Sequence, residues 1–333
     1  MHLKRSMSIL AVFTLFVSVL AGCGGESSGS SEIPSLDSLI SISGDSEASS
    51  VQTSEENSTA SSEDTTVISE ENNITAVALG GSLAEMWLLA GGTLAGVSSD
   101  AYQVEGVSKD IPDVGSMVST DVEKIVSLSP TVVLYSSKIG PLKKTAKKIE
   151  SLGLTTEGIN IESFDDYKSE MEKLTDMTGV KDSLYEAVTV PEKKIEDIKT
   201  KVSDGKLAGK TYIFFKAMSS KVAVQGDDYF ACAMLSDFCL KNIASEGSLD
   251  TYSFEALAAQ DPDYIFMTPM GDSDEAESEY EKLFTGKDGW SSLKAVKNDD
   301  AFVLPKDMFT EKPNNKWGDA YEYLYSILYG KEN

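Results

Sequence analysis

The chain has 333 residues, with 29 Lys and Arg against 54 Asp and Glu and a net charge of -25 at pH 7. That length allows one or two domains with a sizeable core, and that charge excludes nucleic acid and anionic membrane surfaces as partners of the body as a whole. The only histidine is His2, in a segment that reads as removable, so histidine-based catalytic triads and His-containing zinc or manganese sites are excluded from the mature chain.

In chain order, His2, Lys4 and Arg5 precede an apolar run from Met7 to Ala21. Residues 1–22 therefore read as a signal peptide, since the run is short for a span of about 20 apolar residues. Leu20-Ala21-Gly22-Cys23 resembles the lipobox of bacterial lipoproteins, which implies cleavage before Cys23 and a lipid on its thiol. Residues 23–73 hold eleven acids, no base and few large apolar residues. Such a stretch cannot offset its ordering entropy by burial and reads as a disordered tether, with an adhesive stalk as the alternative.

Residues 74–163 read as an N-terminal lobe. A strand at Ile74–Leu79 leads through Gly80-Gly81 to a helix that Ser82 and Glu85 can cap, then to a strand at Leu94–Val97, a βαβ pattern. The Gly-Gly-Ser turn can present amides to an anion, although it lacks the spacing of a nucleotide-binding motif. A helix from Asp121 to Leu128, a strand from Val132 to Tyr135 and a Lys-rich helix over Lys143–Leu152 follow. Residues 164–203 read as helix nearly throughout. Ser163 and Asp166 form a capping box, Gly179 is a stop and Pro191 is an expected kink. About 22 residues at ~1.5 Å each reach ~33 Å, enough to join two lobes.

Residues 204–333 repeat the pattern as a C-terminal lobe. Strands fall at Thr211–Phe215, Val222–Val224, Tyr264–Met267 and Ala301–Leu304. Helices are expected over Asp228–Leu240, Glu275–Leu283 and Pro313–Tyr329. Cys232 and Cys239, seven residues apart on a helix, are too distant for a disulfide and read as buried thiols. The two lobes echo each other in one detail. Val122-Glu123-Lys124-Ile125 precedes Pro130 and Val132-Val133-Leu134, and Phe254-Glu255-Ala256-Leu257 precedes Pro262 and Tyr264-Ile265-Phe266. Each Glu falls in the first turn of a short helix, where the helix dipole favours an acid.

The stretches VALGGSLAEMWLLAGGTLAGV (77–97), PDVGS (112–116), VEKIVSLSPTVVLY (122–135) and SFEALAAQDPDYIFM (253–267) carry a resemblance. From Ile74 to Gly330 the chain resembles the substrate-binding proteins of ABC importers for ferric siderophores, haem and cobalamin, the metal-chelate class with a single helical hinge. It departs at Gly80-Gly81-Ser82, where the family has Ser-Pro-Ser, and at Thr131, where an aspartate is common. The resemblance implies an α/β fold of two Rossmann-like lobes joined by one long interlobe helix, with modest closure on a ligand in the cleft between them. It implies that Glu123 and Glu255 dock onto an ABC permease dimer with its ATPase. It also implies a lipid-anchored monomer on the outer face of the bacterial cytoplasmic membrane, capturing its ligand without enzymatic chemistry, cofactor or protein-bound metal.

Ligands of such sheets lie beyond the carboxyl ends of the strands. The cleft candidates there are Ser82, Tyr102, Met117 and Lys138 in the first lobe, and Lys216, Tyr229, Phe230, Met270, Lys306, Lys312 and Trp317 in the second. The lysines suit an anionic ligand and the aromatics a flat one. A metal chelate already wrapped by its own donors fits a histidine-free cleft, a ferric siderophore first, then a corrinoid or haem. Haem ligation falls to Tyr102, Tyr229, Met117 or Met270. An extracellular enzyme would need an acid-base pair from Asp227-Asp228 or Asp299-Asp300, and an adhesive lipoprotein rests on the tether alone.

Overall fold

Short apolar runs between amphipathic segments become strands here because helices on both sides of each sheet bury them on both faces. The computed structural model describes residues 74–244, 247 and 252–330; the signal peptide, Cys23 and the tether lie outside them. In the first lobe, β1 (Thr75–Leu79), α1 (Gly81–Leu89) and β2 (Thr93–Val97) come first. They are followed by a small hairpin of β3 (Gly115–Ser116) and β4 (Ser119–Thr120), then α2 (Val122–Leu128), β5 (Val132–Ser136), α3 (Gly140–Ser151) and β6 (Thr156–Ile159). The sheet is fully parallel in the order β2-β1-β5-β6. Val77, Leu79 and Val133 pack under Val122 and Ile125 of α2 and Leu142 and Ile149 of α3. Ala76, Ala78, Val132 and Leu134 face the opposite way, toward α1.

Neither the hairpin nor β6 was expected from the sequence. In β6 the strand signal is broken by Gly158, whose place a larger residue cannot take: a Cβ there would sit 2.8 Å from the Tyr135 ring.

The connecting segment starts at α4 (Phe164–Thr178), with the expected capping box of Ser163 and Asp166 and a left-handed stop at Gly179 (φ 77°). The helix is interrupted there, and then a π turn (Tyr185–Thr189) runs directly into α5 (Val190–Lys201). The π turn is the irregularity expected at Pro191, placed one turn earlier. Pro191 has no N–H to offer the carbonyl four residues back. That carbonyl, on Ala187, instead accepts the buried Tyr167 hydroxyl at 3.0 Å.

The second lobe comprises β7 (Thr211–Met218), β8 (Lys221–Val224), α6 (Phe230–Asp237), β9 (Lys241–Asn242), α7 (Phe254–Gln260), β10 (Tyr264–Pro269), α8 (Ser273–Tyr280), α9 (Lys294–Lys297), β11 (Ala301–Val303), α10 (Lys306–Phe309) and α11 (Trp317–Tyr329). Its sheet runs β11-β10-β7-β8, with β8 antiparallel and β9 beside the start of β7. The expected helix over Glu275–Leu283 ends at Tyr280 and finishes as a second π turn. The last helix starts at Trp317 rather than Pro313, because buried Asn314 takes a left-handed backbone (φ 50°) and so interrupts the helical path. Cys232 is buried, but Cys239 is exposed at a left-handed position (φ 61°) and corrects the reading of two buried thiols; neither forms a disulfide.

The connector belongs to both lobes. Val188, Ile195 and Ile198 share one apolar interior with Trp87, Met171 and Leu174 on one side and Tyr212, Phe214 and Leu324 on the other. Along α11, Lys194 pairs with Asp319 at 2.5 Å, and Lys199 and Lys201 lie over the rings of Tyr321 and Tyr325. Gly318 permits this approach, since a Cβ there would lie 3.2 Å from the Pro191 Cα. No helix among the described residues is long and apolar enough to cross a membrane.

Candidate functional site

Four lysines, Lys138, Lys216, Lys306 and Lys312, lie at or beyond the carboxyl ends of the strands, and their surroundings differ. Lys138, after β5, is exposed and ion-paired with Glu162. Lys306 opens α10 and is spent on the Gly271 carbonyl (3.1 Å) and Glu311 (3.4 Å). Lys216, near the end of β7, lies over the Tyr229 ring at 5.1 Å, and Lys312 lies over the Phe230 ring at 4.1 Å. Neither Lys216 nor Lys312 has a carboxylate partner among the described residues.

The carboxylates nearest in effect to Lys312 are already engaged. Glu162 serves Lys138, and Asp166 accepts the backbone N–H groups of Glu162 and Ser163 at 3.0 Å each. Burial pushes the Lys312 ammonium down to about 8; Lys216 and Lys138 add to this, and Glu162 and Asp166 oppose it. Burial likewise lowers Lys216, with Lys221 adding and Asp228 opposing. Two cations resting on aromatic faces, with no ion-pair partner among the described residues, can take up an anion.

The remaining candidates have structural tasks. Phe230 is 1% exposed and forms the floor under Lys312, and Trp317, also 1% exposed, packs edge-on between Phe164 and Phe230. Both depart from the expected cleft surface and sit in the interior at the lobe junction. The Ser82 hydroxyl donates to Asn314 Oδ1 at 3.4 Å, and the Asn314 amide donates to the Ser82 carbonyl (3.1 Å) and the Glu85 carboxylate (2.6 Å). Ser82 is therefore part of a latch across the lobes, not the cap of α1. The Gly81 N–H of this turn is not open to an anion either, because Asp100 takes it at 2.8 Å. Burial holds Glu85 above the usual carboxylate range, against the pull of Asn314 and Lys316.

Among the possible haem ligands, the Tyr102 hydroxyl donates to the Ile111 carbonyl (2.6 Å) and that of Tyr229 to the Phe309 carbonyl (2.5 Å). Met117 packs against the first lobe, and Met270 is exposed. The described residues contain no cluster of three His, Cys, Asp or Glu able to hold a metal. Of the acid pairs, Asp227-Asp228 is exposed ahead of α6, while Asp299-Asp300 precedes β11, at the end of the parallel sheet away from the cleft.

Sequence reasoning did not single out Asn314 or Glu162. Their signal is tertiary: each matters for what it meets across more than twenty residues of chain.

On the outer rim, α2 and α7 are built alike. Each has seven residues with an exposed Glu, Glu123 or Glu255, in second place. The caps Asp121 and Ser253 accept the amides of Lys124 and Ala256, and the left-handed residues Ser129 (φ 47°) and Asp261 (φ 40°) end the helices. The N-terminal hydrogen bonds hold Glu255 below its ordinary carboxylate range.

A family model described as periplasmic binding protein matches residues 77–308. The chain is 28% identical over 206 residues to the iron-uptake system-binding protein of Bacillus subtilis, covering 60% of this chain and 64% of that one. It is 24% identical over 217 residues to the uncharacterized ABC transporter substrate-binding lipoprotein YvrC of the same organism, covering 64% and 66%. The matches thus span a little under two thirds of both relatives. Among solved structures, Staphylococcus aureus IsdE complexed with heme superposes with a TM-score of 0.68 at 20% identity, over 77% of this chain and 99% of that one.

Proposed function

We propose, for a chain that belongs to the periplasmic binding protein family, that it is the extracytoplasmic substrate-binding component of an ABC importer. It captures an anionic metal chelate, in the first place a ferric siderophore, and hands it to a membrane permease. The observation that carries this reading is the pair of lysines, Lys216 and Lys312, set on the faces of Tyr229 and Phe230 with no carboxylate partner among the described residues. An anionic chelate supplies the missing counter-charge, and its aromatic or apolar flanks suit the surrounding rings. The iron-uptake relative and the haem-bound structural neighbour support the ligand class. The engaged hydroxyls of Tyr102 and Tyr229 favour a ligand that brings its own donors over one that needs a tyrosinate.

Glu123 and Glu255, one on each lobe, are the docking contacts for cationic residues of a two-subunit permease, where rim charges set orientation and on-rate more than affinity. The lipobox at Cys23 and the lipoprotein among the relatives support a lipid anchor on the outer face of the cytoplasmic membrane. The continuous interior and the Asn314 latch favour a small closure on binding. Titration of intrinsic fluorescence with a ferric catecholate, a ferric hydroxamate, haemin and a cobalamin, corrected for ligand absorbance, tests the reading. The ferric catecholate is expected to quench saturably at micromolar or lower concentration, with the uncharged hydroxamate weaker. Preference for cobalamin, or silence from all four, would overturn the assignment of ligand class.

A further inference from the structure

Lys312 is poorly placed for an empty protein and well placed for an occupied one. It reaches the lobe junction from the loop between α10 and α11, and its ammonium rests on Phe230 of α6. The charged groups that face it come from four directions: Lys216 on β7, Lys138 after β5, Glu162 after β6 and Asp166 in α4. Glu162 is committed to Lys138, and Asp166 to the start of α4. Its surroundings are therefore short of negative charge until something else supplies it.

We propose that Lys312 couples ligand capture to proton uptake: as an anionic chelate enters in mildly alkaline solution, Lys312 takes up and keeps a proton. This rests on the functional reading above. The proton comes from solvent and goes to Nζ, and no covalent bond to the ligand forms.

The sign follows from linkage. In the empty protein the ammonium loses its proton at about pH 8, and a bound anion beside it raises that value. Affinity is then level below about pH 7 and weakens up to tenfold per pH unit above about 8, until the bound-state value is passed.

The test uses the secreted chain with Cys23→Ser and, as probe, the ferric complex of a hexadentate tris-catecholate, whose charge is constant from about pH 7 to 9.5. Wild type is expected to lose affinity as the pH rises, and calorimetry in two buffers of different ionisation enthalpy is expected to show proton uptake near pH 8. Lys312→Arg should bind without this pH dependence, and Lys312→Met should lose ~100-fold in affinity below pH 8.

A second measurement needs no ligand. Lys312→Met should melt a few degrees higher than wild type at pH 7, where the cost of burying the ammonium is fully present. The gain should shrink from about pH 8 upward and be gone by about 10.5. Tight binding that is level with pH and takes up no proton, or a Lys312→Met protein no more stable at pH 7, would overturn the coupling alone. Failure of the probe to bind at any pH would overturn the chelate reading and the coupling with it.

Discussion

The two lobes share one helix–turn–strand unit, and at its turn they differ in one charge. In the first, α2 ends at Ser129, Pro130 follows, and Thr131 Oγ1 accepts the Thr75 N–H at 3.2 Å, tying the turn to the start of β1. In the second, α7 ends at Asp261, Pro262 follows, and Asp263 accepts the Thr211 N–H at 2.9 Å, tying the turn to the start of β7. The hydrogen bond is the same, but one acceptor is a neutral hydroxyl and the other a carboxylate that also serves Lys210 and Lys294. The cleft repeats the contrast with the signs changed. The first lobe brings charges that are already paired, Lys138 with Glu162 and Asp100 with the Gly81 amide, while the second brings Lys216 and Lys312, which have no ion-pair partner among the described residues. The rim helices are alike in the two lobes, while the turns and the cleft differ.

Charge reversal breaks this division most sharply. Lys216→Glu is expected to weaken a ferric catecholate by ~100-fold or more, because it puts a second negative charge where the ligand's must lie. Lys138→Glu, at an exposed position, should weaken it by no more than ~10-fold, through the Glu162 it releases toward Lys312. Equal losses at the two sites in a fluorescence titration would show that both lobes read the ligand's charge. At the rim the expectation is symmetry. Glu123→Ala and Glu255→Ala should each cut ligand uptake by cells about tenfold while leaving the dissociation constant unchanged. Loss of ligand binding in either variant would remove docking as its role, and unequal losses of uptake would mean that the permease reads one lobe more than the other.

The symmetric parts were legible in the sequence because they are local. Glu123 and Glu255 and the prolines seven residues on lie within a dozen positions, where spacing alone fixes helix, turn and strand. The apolar face of α4 and its capping box were legible for the same reason. The asymmetric parts were hidden. Lys306, Lys312 and Lys216 look alike as letters, and only the fold shows that Lys306 is spent on Gly271 and Glu311 while the other two meet no carboxylate among the described residues. Trp317 looked like a ligand platform because an aromatic among lysines is ambiguous, and burial between Phe164 and Phe230 decided it. Asn314 defeated the expected helix start because its bonds to Ser82 and Glu85 lie more than 200 residues away, beyond any window of local propensity.

The smallest effect tests the first contrast directly. Burial raises Asp263, but the Thr211 amide and hydroxyl and Lys210 outweigh it and hold the carboxyl down to about 2. A carboxylate held below its unfolded value stabilises the fold above the unfolded value near 3.8, and that contribution is lost as the pH falls through about 2. Thr131 makes the corresponding bond with a group that does not titrate in this range. Hydrogen exchange should therefore show the Thr211 amide losing ~10-fold of its protection relative to the Thr75 amide as the pH falls from about 4 to about 2. Asp263→Asn, which keeps an acceptor oxygen but drops the charge, should cost about 1–2 kcal/mol at pH 7 and remove the difference in acid response between the lobes. If both amides lose protection together in wild type, the lobes open as one unit in acid, and the charge at Asp263 does not set where opening begins.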